Sequence, residues 1–231
     1  MPFSRSMPAL LRGSELDGAM RSIGMRLGAV TRGGTPGDLE LTLASAAVSA
    51  LPGDYRVLGV LLAWLEVHHA RVNVPRLARI LAHADKRPMF RAFWASVGRW
   101  LGSTDARFRV LERLYRSAAA LDLDDHMVTK LQLQRVGPDP RFEGSALRVH
   151  AKLLRSRPAD VDDAIQLASR HPVYLKRLQL GPTYRADVWA ALDDDPTATP
   201  AAIARRVGCA YETARAVAED WKTARLATQA A

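Results

Sequence analysis

The residues best suited to acid–base or metal chemistry are the carboxylates and histidine of AspLeuAspAspHis at 122–126. Asp160, Asp162 and Asp163 form a second acidic group. Acidic residues are common in the first turn of a helix, where they complement the helix dipole. We therefore interpret both groups as helix starts and assign no catalytic residue to the chain.

Other reactive side chains lack the spacing that catalysis or metal binding requires. His68 and His69 are adjacent, so on a helix they point about 100° apart and do not readily share one metal ion. The sequence contains neither HExxH nor the phosphate-binding GxxxxGK[ST]. Cys209 falls at an apolar position and is interpreted as a small core residue. These observations predict a non-enzymatic protein without a bound metal or cofactor.

The most informative stretch is PAAIARRVGCAYETARAVAEDWK at 200–222. Ala204 would let two helices cross closely, and Gly208 suits a turn in which the backbone angle φ is positive. This pattern resembles the helix-turn-helix of bacterial DNA-binding proteins, a class that includes winged-helix domains, over about the last 40 residues. The remaining positions that carry the resemblance are Ile203, Val207, Cys209, Ala214 and Val217.

The resemblance implies that the helix after the turn lies in the major groove, with its first turns against the base edges. Arg215 would then bind guanine, and Glu212 would accept a hydrogen bond from cytosine. The acidic run at 193–195 would have to face away from the phosphates. The DNA-binding residues implied here are Arg205, Arg206, Tyr211, Glu212, Thr213 and Arg215.

The net charge of +9 and the pI of about 10.3 favour an anionic partner such as nucleic acid, although a GC-rich genome would also enrich Ala and Arg. Segments 85–116 and 148–185 each carry a formal charge of +5, whereas 186–231 carries −2. We therefore predict that upstream cations bind the DNA backbone. They are Lys86, Arg87, Arg91, Arg99, Arg148, Lys152, Arg155 and Arg157.

Apolar residues recur at helical spacing through most of the chain. The segment at 38–50 is apolar on several sides, which predicts burial or an oligomer contact. Helices are predicted at about 14–30, 38–50, 55–70, 75–84, 89–101, 104–120, 145–156, 159–170, 172–179, 183–193, 200–207 and 211–225.

One segment alternates like a strand. Residues 130–136 read KLQLQRV, and with the turn at 137–144 they could form a small β-wing near 129–147. A helix continuing from Asp124 fits the same residues nearly as well. Both 55–56 and 184–185 read TyrArg and precede three predicted helices, which suggests two tri-helical units of helix-turn-helix type.

The predicted fold is therefore all-α, with or without a small β-wing. Three parts are expected: an arm and helices at 1–50 that could mediate dimerisation, a helical unit at 51–147, and a unit at 148–231 that contains the helix-turn-helix. No segment is apolar enough to span a membrane, and the N-terminal apolar run is too short for a signal peptide. One cysteine fits a reducing, cytoplasmic compartment.

Two functions remain open from the sequence. The first is a transcriptional regulator that binds double-stranded DNA, with a homodimer through the N-terminal helices as one option. The second is a helical adaptor for a protein or RNA partner, in which the helix-turn-helix is structural. The net charge and the motif favour the first, and the acidic segment at 186–231 favours the second.

Overall fold

The computed structural model describes residues 8–27, 36–117, 119–124 and 126–229. Helices account for 67% of the structure and strands for 4%, which confirms the predicted all-α class with a small sheet. Most of the predicted N-terminal arm, part of the predicted break at 31–38 and Asp125 of the acidic cluster lie outside the described residues.

The helices and strands follow one another in chain order. The α-helices are α1 Gly13–Ser22, α2 Leu39–Ala50, α3 Tyr55–His68, α4 Val74–Ala84, α5 Pro88–Gly102, α6 His126–Val136, α7 Ala164–Ala168, α8 Pro172–Leu180, α9 Tyr184–Asp194, α10 Pro200–Val207 and α11 Tyr211–Gln229. The 3-10 helices are His69–Arg71, Ala106–Leu114, Pro140–Phe142 and Pro158–Asp160. Strand β1 (Leu121–Asp122) runs parallel to β2 (Leu147–Arg148), with Leu121 opposite Leu147.

Side-chain caps explain where several helices begin. The Asp38 carboxylate accepts a hydrogen bond from the backbone N–H of Leu41 at the start of α2. Asp54 caps α3 and Thr199 caps α10 in the same way. Each cap satisfies a backbone donor that the first turn of a helix leaves without a partner.

The described chain groups into two compact units, residues 9–164 and residues 165–229. In the first unit α2 is buried from residue 39 to residue 47 and packs against α3 and α4. Its Glu40 is fully buried and pairs with Arg76 of α4 at 2.9 Å. A dimer contact through the N-terminal helices would therefore have to use surfaces other than this face of α2. The three-part division of the chain stays a prediction.

Helix α5 packs extensively against the 3-10 helix at 106–114 in the first unit. Gly98 makes this approach close, because an added Cβ there would lie 2.8 Å from Cβ of Leu111. Phe93 and Trp94 of α5 and Phe108 of the 3-10 helix are fully buried. Burial of these large aromatic rings contributes strongly to the core of the first unit.

In the second unit, α8 packs against α9 around a buried ion pair. Arg177 donates to both carboxylate oxygens of Asp187, at 2.7 and 3.0 Å, and both side chains are almost wholly buried. Burying either charge alone would be costly, so the pair fixes the register of the two helices.

The strand prediction for residues 130–136 is wrong, because this segment lies within α6. Lys, Gln, Leu and Arg, which fill residues 130–135, are all strong helix formers, and none of them is β-branched. Intrinsic helix propensity therefore prevails over the alternating pattern, and the helical alternative is confirmed.

Four helix predictions also need correction. Of the residues predicted as one helix at 159–170, only Ala164–Ala168 is α-helical, and Pro158–Asp160 is a separate 3-10 helix. The helix predicted at 145–156 is wrong, because Leu147–Arg148 pairs as β2 with β1 and Arg148 is held by Asp122. The helix predicted at 104–120 is a 3-10 helix at 106–114. Helix α1 ends at Ser22, and Gly24 then adopts a φ of +92°.

The packing of the two predicted tri-helical units differs. Helices α9, α10 and α11 each contact the other two closely. In the first unit the principal partner of α4 is α2, and that of α5 is the 3-10 helix at 106–114. The three-way packing of α9–α11 is therefore not repeated among α3, α4 and α5.

Candidate nucleic-acid interface

The turn between α10 and α11 is made at Gly208, the glycine that the sequence predicted for it. Gly208 ends α10 in the left-handed conformation, with φ of 74° and ψ of 30°. The backbone N–H groups of Gly208 and Cys209 both donate to the carbonyl of Ala204, at 2.9 and 3.1 Å. These two bonds close the last turn of α10 on the carbonyl of Ala204, and α11 starts at Tyr211.

An apolar cluster holds the three helices together. Every apolar position that carried the sequence resemblance is buried in it, including Cys209 at 5% exposure. Helix α9 contributes Val188 and Leu192 four residues apart, and α11 adds Trp221. The i, i+4 spacing of Val188 and Leu192 was a usable sequence signal for these extra core residues.

Helix α11 presents a polar face at its N-terminal half. Tyr211 is 48% exposed, Glu212 and Arg215 are exposed, and Thr213 is half-buried. The guanidinium of Arg215 contacts the carboxylates of Glu212 and Glu219, each at 3.1 Å. The hydrogen bond that Arg215 donates to Glu212 and the charge of Glu219 raise the pKa of Arg215 above its ordinary value. Before any ligand binds, this arginine is therefore shared between two carboxylates of its own helix.

The two arginines at the end of α10 differ in their surroundings. Arg206 pairs with Asp194 of α9 at 2.7 Å, and both side chains are more than half exposed. Arg205 is exposed and forms no ion pair within the described residues. Since Arg205 has no competing carboxylate, it is the better placed of the two to bind a phosphate.

The acidic run at 193–195 is engaged within the unit. Asp193 accepts from the indole N–H of Trp221 at 2.8 Å and pairs with Lys176 at 2.7 Å. Asp195 accepts from the hydroxyl of Thr197, which lowers the pKa of that carboxyl. Asp193 and Asp195 therefore both have hydrogen-bonding or ion-pair partners within the second unit.

Charge counted over the whole unit differs from the charge of the sequence window. Residues 186–231 carry five basic and seven acidic residues, but the compact unit begins at residue 165. It then includes Lys176, Arg177 and Arg185, which pair with Asp193, Asp187 and Asp220. With nine basic and seven acidic residues, residues 165–231 have a formal charge of +2.

The upstream cations predicted to bind phosphate all lie between residues 86 and 157, within the first unit. Three of them have carboxylate partners: Arg87 with Asp85, Arg148 with Asp122 and Arg157 with Asp160. The hydrogen bonds that Arg87 and Arg148 donate to their carboxylate partners raise the pKa of each arginine. These three guanidinium groups are only partly available to a ligand.

The other five upstream cations have no carboxylate partner among the described residues. Lys86, Lys152 and Arg155 are exposed and make no ion pair in the described chain. Arg91 is half-buried, and its Nε is buried without a hydrogen-bond partner. Arg99 is exposed as well, and it lines a polar pocket together with Glu112.

Comparisons with protein-family models, with curated proteins and with solved structures found no match to this chain. Among the described residues, no helix combines the length and apolarity needed to cross a bilayer.

Replacement of Gly208 tests the turn. We expect Gly208→Ala to lower the free energy of unfolding by about 1–2 kcal/mol, because the left-handed conformation is costly for a residue with a Cβ. Gly208→Asn should cost less, because asparagine tolerates this conformation. Urea unfolding followed by tryptophan fluorescence measures both, and equal stability of the Ala, Asn and wild-type proteins would contradict a left-handed turn.

Proposed function

We propose that this chain is a non-enzymatic, cytoplasmic DNA-binding protein, and that it regulates transcription through the α10–α11 helix-turn-helix. The observation that carries the proposal is the three-helix unit, which buries one side of α11 and leaves the polar side of its first turns exposed. The major groove of B-DNA admits an α-helix presented in this way.

The side chains of α11 suit base recognition. Arg215 reaches outward about one turn into α11, and an arginine can donate two hydrogen bonds to guanine O6 and N7. Glu212 would accept from cytosine N4, and Tyr211 or Thr213 would contact a phosphate. The exposed ion pairs of Arg215 are a small obstacle, because such pairs contribute about 0–1 kcal/mol.

Backbone contacts would come first from Arg205, which has no carboxylate partner within the described residues. Arg206 can join it by exchanging Asp194 for a phosphate. If the first unit also binds the backbone, we expect Lys86, Lys152 and Arg155 to contribute more than Arg87, Arg148 and Arg157, because the last three already have carboxylate partners. A homodimer would match the paired half-sites of many helix-turn-helix proteins.

A helical adaptor is the second candidate, and exposed apolar side chains favour it. Leu175, Leu178 and Leu180 of α8 are 37–40% exposed, and Ile165 is 83% exposed. Such residues suit a protein partner better than a phosphate backbone. In this case the helix-turn-helix would be a packing module, and its polar face would be dispensable for binding.

Alanine variants distinguish the two candidates. A labelled duplex of roughly 20 base pairs, selected from a randomised pool, is titrated by fluorescence anisotropy at several salt concentrations. We expect Arg215→Ala to weaken binding about fivefold to a hundredfold and to relax base preference. Arg205→Ala should weaken binding to all DNA sequences alike and reduce the slope of log affinity against log salt concentration by about one.

Arg225→Ala is the matched control. Arg225 lies on α11 about 15 Å beyond Arg215, over the ring of Trp221, and its removal takes away the same charge. Its effect on affinity should be small. Unchanged affinity in both Arg205→Ala and Arg215→Ala, or binding without a steep salt dependence, would favour the adaptor.

Release of Arg215 from its carboxylates gives an independent test. Glu219→Gln removes one partner of Arg215 and one negative charge, so we expect DNA binding to tighten about two- to fivefold. Asp220→Asn removes the same charge from the next residue, where it releases Arg185 instead. A smaller gain in Asp220→Asn is expected in the same titration, and weaker binding by Glu219→Gln would contradict this account.

A further inference from the structure

A polar pocket of about 250 Å³ lies in the first unit, on residues that the DNA-binding proposal does not need. Three elements line it: α5, the end of the 3-10 helix at 106–114 with the residues that follow, and the turn at 144–146. Its volume corresponds to about eight water molecules of bulk liquid, which suits a small metabolite better than a nucleotide.

The close packing of α5 against the 3-10 helix places Arg99 and Glu112 in the lining of this pocket. An added Cβ at Gly98 would lie 3.0 Å from the backbone nitrogen of Glu112, so the 3-10 helix lies directly against α5. Arg99, the next residue of α5, and Glu112 therefore both line the same space. No ion pair joins them, and neither has another ion-pair partner among the described residues.

The turn at 144–146 lies next to the guanidinium of Arg99, whose side chain is exposed. Gly144 has a φ of +63°, and an added Cβ would lie 3.4 Å from Nη2 of Arg99. The guanidinium therefore lies over the backbone of Gly144. Tyr115, Ser117 and Ser145 add hydroxyl groups to the lining, so the walls are polar as well as charged.

The two opposite charges define the ligand. A guanidinium alone would favour a phosphate or another polyanion, but Glu112 would repel it. A cation alone would be repelled by Arg99. A small molecule with both charges satisfies both groups: its carboxylate can accept two hydrogen bonds from Arg99, and its ammonium can donate to Glu112.

We propose that this pocket binds a small zwitterion of the α-amino acid class, with Arg99 on the carboxylate and Glu112 on the ammonium. The proposal goes beyond DNA binding and does not depend on it. It also gives Arg99 a different role from the phosphate contact that the sequence predicted.

The proposal is tested on the full-length protein by ligand-observed NMR and calorimetry, with the standard α-amino acids, their N-acetyl and amide derivatives, and inorganic phosphate as probes. At least one amino acid should bind one-to-one with a Kd of about 1 mM or tighter. The N-acetyl derivative lacks the ammonium and the amide lacks the carboxylate, so each should bind about tenfold more weakly or worse.

Variants assign the binding to the pocket. Arg99→Gln and Glu112→Gln should each weaken it about tenfold or more, whereas Arg113→Gln, an exposed residue beside Glu112 that does not line the pocket, should leave it unchanged. The comparison of amino acids with their derivatives uses the wild-type protein, so it does not depend on whether the variants fold. The proposal is overturned if no amino acid binds at millimolar concentration, if phosphate binds more tightly than every amino acid, or if binding persists in both pocket variants.

Discussion

The left-handed backbone at Gly208 is the constraint on which the candidate interface depends. It lets α11 begin after only three intervening residues, 208–210, and it allows two backbone N–H groups to converge on the carbonyl of Ala204. The change of direction brings the apolar faces of α9, α10 and α11 together around Trp221 and Ala214. Burial of those faces leaves the polar face of α11 exposed, so the turn determines which side chains of α11 a ligand can reach.

Electrostatics in the second unit depends on where the unit begins. The sequence window at 186–231 is acidic, but three of its carboxylates are matched by Lys176, Arg177 and Arg185 just before it. The Arg177–Asp187 pair is buried and cannot act on DNA at all. What remains at the surface is a set of weak, exposed pairs that a phosphate or a base can replace. The negative charge of residues 186–231 is therefore not a property of the compact unit, since residues 165–231 carry a formal charge of +2.

Sequence reasoning succeeded where one local pattern determines the outcome. The bounds of α10 and the core positions from Ile203 to Val217 follow from caps, a glycine and helical spacing. It failed where distant residues decide: Asp122 and β1 hold residues 147–148 extended in a segment that reads as a helix. The position of Arg99 beside Glu112 was equally hidden, because it depends on the packing of Gly98 against a 3-10 helix.

The central claim is that the exposed faces of α10 and α11 contact duplex DNA. Hydrogen–deuterium exchange, measured by mass spectrometry with and without a duplex, tests it most directly. We predict slower exchange in peptides covering residues 199–219 when DNA is present, an effect that fades as salt rises, while the exposed helix α6 is unchanged. Unchanged exchange across 199–219 under conditions in which the protein binds DNA would contradict the account.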